Sequence, residues 1–295
     1  TNIAIIFLIS IILTLLEKVF WINIAWYYDW TNIIPILFFS FIVWFSWAFI
    51  SLFMSRWVAK TAYKIKPITS EEAFNLPAKQ KLVYQTVLQI SERNNIKMPE
   101  VWIYQSSEPN AFATWATKNS SLVAVSTWLL DSMDVGEIEA VVAHEMAHII
   151  NWDMVTMTLL QWVINTFVIF ISRIAANFIE KVILKSEEWW TWVYYLISFI
   201  LQIILWILAS FIVMWFSRKR EFRADEWSAL FIWKEKMIAA LKKLQSLQWK
   251  MLTDDTDKMA TMKIQTKKST WIKALLSSHP DLNLRIKNLE EKNIF

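Results

Sequence analysis

The sequence predicts a mainly α integral membrane protein that carries a soluble α+β domain with a small antiparallel sheet. Three observations lead there. The 295 residues are 56% hydrophobic and 19% charged, with a mean hydropathy of +0.35, the balance of a membrane protein rather than of a soluble enzyme. The apolar residues gather in four stretches, two near the start of the chain and two past its middle. Between the two pairs lies a polar segment with short β-prone runs.

The stretches come in order. Ile3–Leu16 is short, and Ile33–Met54 is long enough to span a bilayer. Thr158–Ile179 is apolar apart from Gln161, Asn165 and Arg173, and Thr191–Phe216 exceeds the roughly 20 residues a span needs. No basic leader or small-residue cleavage site is visible, so a cleavable signal peptide is not expected. Arg56, Lys60, Lys64 and Lys66 follow the second stretch, and Arg218, Lys219, Arg220 and Arg223 follow the fourth. Basic residues stay on the cytoplasmic side, so both termini and Arg56–Met157 are expected there. The third and fourth stretches then form a transmembrane hairpin. The expected division is a pair of membrane helices in 1–56, the first half of a cytosolic domain in 57–157, the hairpin in 158–216 and the second half of the domain in 217–295. The surroundings are expected to be a lipid bilayer, the bacterial inner membrane. A net charge of +4 is too slight to point to nucleic acid, and none is expected as a partner.

Within the cytosolic part, Leu76–Asn95 has a helical pattern. Val101–Tyr104, Ala111–Ala116 and Leu122–Ser126 read as strands, separated by the turn-rich segments Ser106–Asn110 and Lys118–Ser121. Asp134 and Glu137 have the spacing of a capping box, and Ile138, Val142, Met146 and Ile149 then recur at helical intervals. The acidic run Thr253–Lys258 is expected to be a mobile loop.

On that capped helix lies the most specific signal, His144-Glu145-Met146-Ala147-His148, an HExxH sequence in a chain with three histidines. Histidines at i and i+4 are roughly 40° apart around a helix and can hold one Zn²⁺ between them. Glu145 stands beside them, where it can take a proton from an attacking water, the core of a zinc-dependent peptidase. Cys is absent, so the site must be built from His and carboxylate, and disulfides are excluded. A catalytic zinc wants three protein ligands. The third is either His279 or a carboxylate from Glu221 and Asp225, which share a face at i and i+4. On spacing alone, these two acids could equally balance the basic residues around them.

The chain holds one Gly and 20 Trp, where average usage would give about 20 Gly. Several Trp fall where turns, caps or close helix packing favour Gly: Trp152 at the end of the HExxH helix, Trp189-Trp190 in a polar loop, Trp44 and Trp47 in a span. Aromatic belts would instead place Trp at span ends. UGA is read as glycine in some bacterial lineages and as tryptophan in a common alternative code. The expectation is that most of these Trp stand where the natural protein has Gly.

Long stretches of the chain resemble the HtpX-type membrane metalloproteases, bacterial heat-shock peptidases of the zincin group with an HExxH…ExxxD pattern. They are Asn110–Thr114, Ser121–Thr127, Ala143–His148, Asp153–Thr158, Phe167–Arg173, Met214–Asp225, Lys234–Leu241 and His279-Pro280. The resemblance implies one zinc on His144, His148 and Glu221, with Asp225 orienting a ligating imidazole. It implies Glu145 as the base, and His279 or Arg285 as a further donor to the reacting group, although Arg285 could instead pair with Asp281. It implies that Asn110, Ala111, Phe112 and Ala113 form an edge that holds an extended polypeptide substrate. The implied activity is hydrolysis of damaged or misfolded membrane proteins. The same family carries Gly at the positions matching Trp115, Trp128, Trp152, Trp162, Trp227 and Trp233, whereas Trp57 and Trp215 fit it as they stand. Two other readings are a prenyl-peptide peptidase, which would need more spans, and a non-catalytic scaffold or transporter subunit built around Arg173, Gln161 and Asn165.

Overall fold

A computed structural model describes residues 67–106, 110–115, 118–179, 191–258 and 280–293, with most of 41–54. The chain forms two compact units, Thr1–Ser46 with Trp162–Ile207, and Trp47–Gln161 with Leu208–Phe295.

The second unit holds the chemistry-bearing residues. It begins with α1 (Ser70–Ala73) and α2 (Ala78–Arg93), which occupies the predicted helical segment. Three strands follow, β1 (Glu100–Tyr104), β2 (Ala111–Trp115) and β3 (Ser121–Ser126). Their positions match the predicted runs, but the sheet is not antiparallel. Its order is β1-β3-β2, with β1 parallel to β3 and β2 antiparallel to it. The physical reason lies in β3. Every residue of Ser121–Ser126 is buried, so β3 is a central strand that needs a partner on each edge, and a run apolar on both faces is what such a strand requires. The turn-rich linkers reverse the chain but do not decide which strands pair.

Helix α3 (Thr127–Ser132) leads to α4 (Val135–Ile150), the HExxH helix. The capping box forms as predicted: Asp134 accepts from the Glu137 backbone at 2.8 Å, and Glu137 accepts from the Asp134 backbone at 2.9 Å. Ile138, Val142, Met146 and Ile149 are wholly buried. They pack among Val83, Val87 and Ile90 of α2, Val123 and Val125 of β3, and Met237 and Leu241 of α7 (Lys234–Lys258). Burial of this stripe contributes about 1.5–3 kcal/mol per large side chain and fixes which face of α4 is left for His144 and His148. Helix α8 (Leu282–Glu291) packs on α7 through Ile286 and Leu289. The acidic run is not a loop: α7 continues to Lys258. Aspartate is only mildly unfavourable inside a helix, so a short acidic run need not end one.

Two further helices are long and apolar. Helix α5 is Asp153–Phe178 and α6 is Thr191–Ile232, and their apolar 18-residue windows reach mean hydropathies of 1.8 and 2.7. At about 1.5 Å per residue, both exceed the roughly 30 Å of a hydrocarbon core. Phe167, Ile171, Ile204, Leu208 and Ile212 on them are exposed, the state of side chains that face lipid rather than a protein core. In the first unit, Phe41 and Phe45 pack edge-on against Trp162. Ile3–Leu16 lies outside the described residues, as does part of Ile33–Met54, so two of the four expected spans are seen as long apolar helices.

Among the described residues, three non-glycine residues have positive φ: Asn95 at 50°, Trp152 at 58° and Trp233 at 103°. Each follows a helix end, where a left-handed residue commonly terminates the ladder. Asn tolerates this region, whereas a Cβ with a bulky ring is strained there.

Candidate metal centre

The site draws on four helices, α4, α5, α6 and α8, through residues that all lie in the second unit. On α4, His144 and His148 point the same way, their Nε2 atoms 3.2 Å apart. Glu221, near the end of α6, enters from the side. One of its oxygens lies 3.5 Å from His144 Nε2 and the other 3.5 Å from His148 Nε2. These three donor groups all lie within 4.8 Å of one another and are buried or nearly so. Two imidazole nitrogens and a carboxylate converging on one point fit a metal ion. Three protein ligands leave a fourth position for water or substrate.

The far side of each ring is also fixed. His144 Nδ1 lies 2.9 Å from Asp225 Oδ1, and His148 Nδ1 lies 2.7 Å from Asp153 Oδ2. With a carboxylate accepting at each Nδ1–H, each neutral ring keeps its Nε2 lone pair aimed at the shared point. Burial alone would lower the pKa of His144, but its hydrogen bonds to Asp225 and Glu221 outweigh burial and push it up to about 9. His148 is raised for the same kind of reason: burial opposes the charge, and Asp153 and Glu221 more than offset it. Metal binding must therefore displace protons. Burial raises Glu145 above the ordinary carboxylate range, while both histidines and a hydrogen bond from the Ala113 backbone pull it back.

Arg285 of α8 is buried against the same cluster. Its Nε and Nη2 donate to the two oxygens of Asp225 at 2.7 and 2.5 Å, and its Nη1 lies 3.5 Å from Glu221. The expected alternative of a pair with Asp281 does not form: Asp281 instead caps α8, accepting from the Asn283 backbone at 2.7 Å. The guanidinium thus holds Asp225 behind His144 and also reaches toward Glu221 at the ligand point. His279 lies outside the described residues.

The predicted substrate edge is β2, which the strand order leaves on the rim of the sheet. Its open face follows from one bond. The Ser126 N–H donates to the Asn110 carbonyl at 2.9 Å, so residues 110, 112 and 114 turn their backbone groups toward β3. Alternation along an antiparallel ladder then turns those of Ala111 and Ala113 outward, and Ala113 N–H meets Glu145. Phe112 is committed to the ladder, and Asn110 also receives the Tyr104 hydroxyl at 3.4 Å.

Sequence reasoning missed Asp153. The available signal was its place five residues after His148, just past the helix end, where a tight turn can bring a side chain back over the last turn.

Residues 77–293 match peptidase family M48. The chain belongs to that family. It is 44% identical over 297 residues to a protease HtpX homolog of Methylacidiphilum infernorum, covering 98% of this chain and 95% of the relative. It is 48% identical over 252 residues to protease HtpX of Hydrogenovibrio crunogenus, covering 85% and 82%, and 42% identical over 295 residues to a protease HtpX homolog of Bacillus subtilis, covering 99% and 97%. Among solved structures, the crystal structure of S. mikatae Ste24p superposes with a TM-score of 0.62 at 19% identity, covering 98% of this chain and 67% of that one. That likeness shows the fold. The chain is a membrane-bound metalloprotease of the HtpX type, which sets aside the prenyl-peptide and scaffold readings.

Proposed function

We propose that this M48 protease is a zinc-dependent endopeptidase of the bacterial inner membrane. Its active site faces the cytoplasm, and it cleaves misfolded or damaged membrane proteins. The observation that carries the reading is the convergence of His144, His148 and Glu221 on one point, with Glu145 on the adjoining turn of α4.

Bound at that point, zinc supplies Lewis acidity, polarising a carbonyl and easing the deprotonation of water. Glu145, held above the usual carboxylate range by burial, takes the proton of the attacking water and returns it to the leaving amine. Asp225 holds the His144 ring, and Arg285 holds Asp225. The outward N–H and C=O groups of Ala111, with the C=O of Ala113, accept the substrate as an added strand. This recognition reads backbone and tolerates many side chains, which suits a protease of damaged proteins.

Two experiments test the reading. Purified protein should hold one zinc per chain and cleave an unfolded polypeptide such as casein; stoichiometric zinc with no cleavage of any unfolded protein would overturn the activity. For topology, a cysteine at Ser186 should react with an impermeant thiol reagent from the periplasmic side, and a cysteine at Glu235, an exposed residue, should not. Reaction of both from outside would overturn the cytoplasmic site.

A further inference from the structure

Asp153 does more than start a helix. It is completely buried at the first position of α5, three residues beyond the end of α4. One carboxylate oxygen accepts from His148 Nδ1 at 2.7 Å, and the other accepts from Arg223 of α6. Its carbonyl accepts from Arg220 at 3.3 Å, and Arg220 also lies 3.8 Å from Glu221. Asp153 therefore touches a candidate ligand on α4 and the helix that brings the third ligand. The two imidazoles are supported separately, His144 by Asp225 and His148 by Asp153.

We propose that Asp153 is a positioning residue for the metal centre. Resting on the metal reading above, this assigns Asp153 the orientation of the His148 ring and the placement of Arg220 beside Glu221. A carboxylate on the Nδ1–H of a ligating imidazole raises the basicity of its Nε2 and fixes the ring plane, and loss of such a partner commonly weakens metal binding about 10- to 100-fold. Asp153→Asn keeps the shape and can still accept from Nδ1–H, so it should lose much less than Asp153→Ala. Arg223→Ala separates orientation from structure, because it removes one link between α5 and α6 but leaves the carboxylate on His148.

The test is zinc affinity by competition with a chromophoric chelator, together with the visible spectrum of the Co²⁺-substituted protein, on the full chain in detergent. Asp153→Ala should lose about 10- to 100-fold in affinity and change the Co²⁺ spectrum. Asp153→Asn and Arg223→Ala should stay close to the unsubstituted protein. Unchanged affinity and spectrum in Asp153→Ala, or an equal loss in Arg223→Ala, would overturn the proposal. Failure of the metal reading is distinct, since the unsubstituted protein would then bind no stoichiometric zinc. Should Asp153→Ala not fold, Asp153→Leu, which keeps bulk but cannot accept from Nδ1–H, takes its place: weakened zinc and an altered Co²⁺ spectrum support the proposal, and unchanged affinity and spectrum overturn it.

A different observation carries a second inference. Trp152 and Trp233 follow the ends of α4 and α6 in left-handed backbone, and each N–H closes back on its helix, to Ile149 at 3.3 Å and to Ala229 at 3.0 Å. The single Gly of the chain, Gly136, has no positive φ. Helix ends of this form are where Gly is strongly favoured. We infer that positions 152 and 233 are glycine in the protein the cell makes, with UGA decoded as glycine. Peptide mass spectrometry of the protein isolated from its own cells decides. Gly at both positions is the expected result, and Trp at either overturns the inference for that position.

Discussion

Replacing Trp233 by Gly should stabilise this chain, and the structure indicates by how much. The residue sits at φ 103° and is 73% exposed, so the indole contributes little burial that would be lost. A side chain held in a sparsely populated backbone region costs about 1–3 kcal/mol. Glycine gives back about 0.5–1 kcal/mol through the greater freedom of its unfolded chain. The net gain is about 1 kcal/mol, or roughly 2–4 °C in Tm for a domain of this size. Trp152, at φ 58° and 42% exposed, lies in the left-handed well itself and has more ring to lose, so its gain should be smaller. Thermal unfolding followed by far-ultraviolet circular dichroism, in one detergent, measures both. Trp233→Ala separates backbone from side chain, because it removes the indole and keeps the Cβ. Gly should exceed Ala by about 1 kcal/mol. If Ala matches Gly, or if Trp233→Gly lowers Tm, the strain reasoning is wrong.

Other outcomes follow from the site. Glu145→Gln should keep zinc but lose about 10²- to 10⁴-fold in kcat, and a variant with near-full turnover would remove Glu145 as the base. Glu221→Ala should weaken zinc more than Asp225→Ala, since the first deletes a ligand and the second a support worth about 10- to 100-fold; the reverse order in a zinc titration would exchange their roles. Ala111→Pro removes an outward N–H of β2 and should raise KM for peptides at unchanged zinc content, whereas an unchanged KM would take the substrate off that edge.

The site was legible where its signals are local. The capping box of Asp134 and Glu137, the buried stripe on α4 and the pairing of His144 with His148 all depend on spacing along one helix. Glu221 and Asp225 share a face for the same reason, although spacing alone does not say which of them meets the ligand point; the family resemblance implied Glu221, and the fold places Glu221 there and Asp225 behind His144. Contacts that cross elements were hidden. Arg285 has Asp281 four residues before it, yet its guanidinium turns to Asp225, 60 residues away in sequence. Asp153 lies beyond a helix end, where periodicity stops and a turn decides direction. The sheet was misread because β-propensity marks strands without naming their partners; the complete burial of β3 is what places it between β1 and β2.

The claim on which the rest stands is that His144, His148 and Glu221 hold one metal ion. Its most direct measurement is the zinc content of purified, detergent-solubilised protein by elemental mass spectrometry, beside His148→Ala and an arginine-to-alanine control at exposed Arg93 on α2. One zinc per chain is predicted for the unsubstituted protein and for Arg93→Ala, with loss of stoichiometric zinc in His148→Ala. Full zinc retention in His148→Ala would contradict the account.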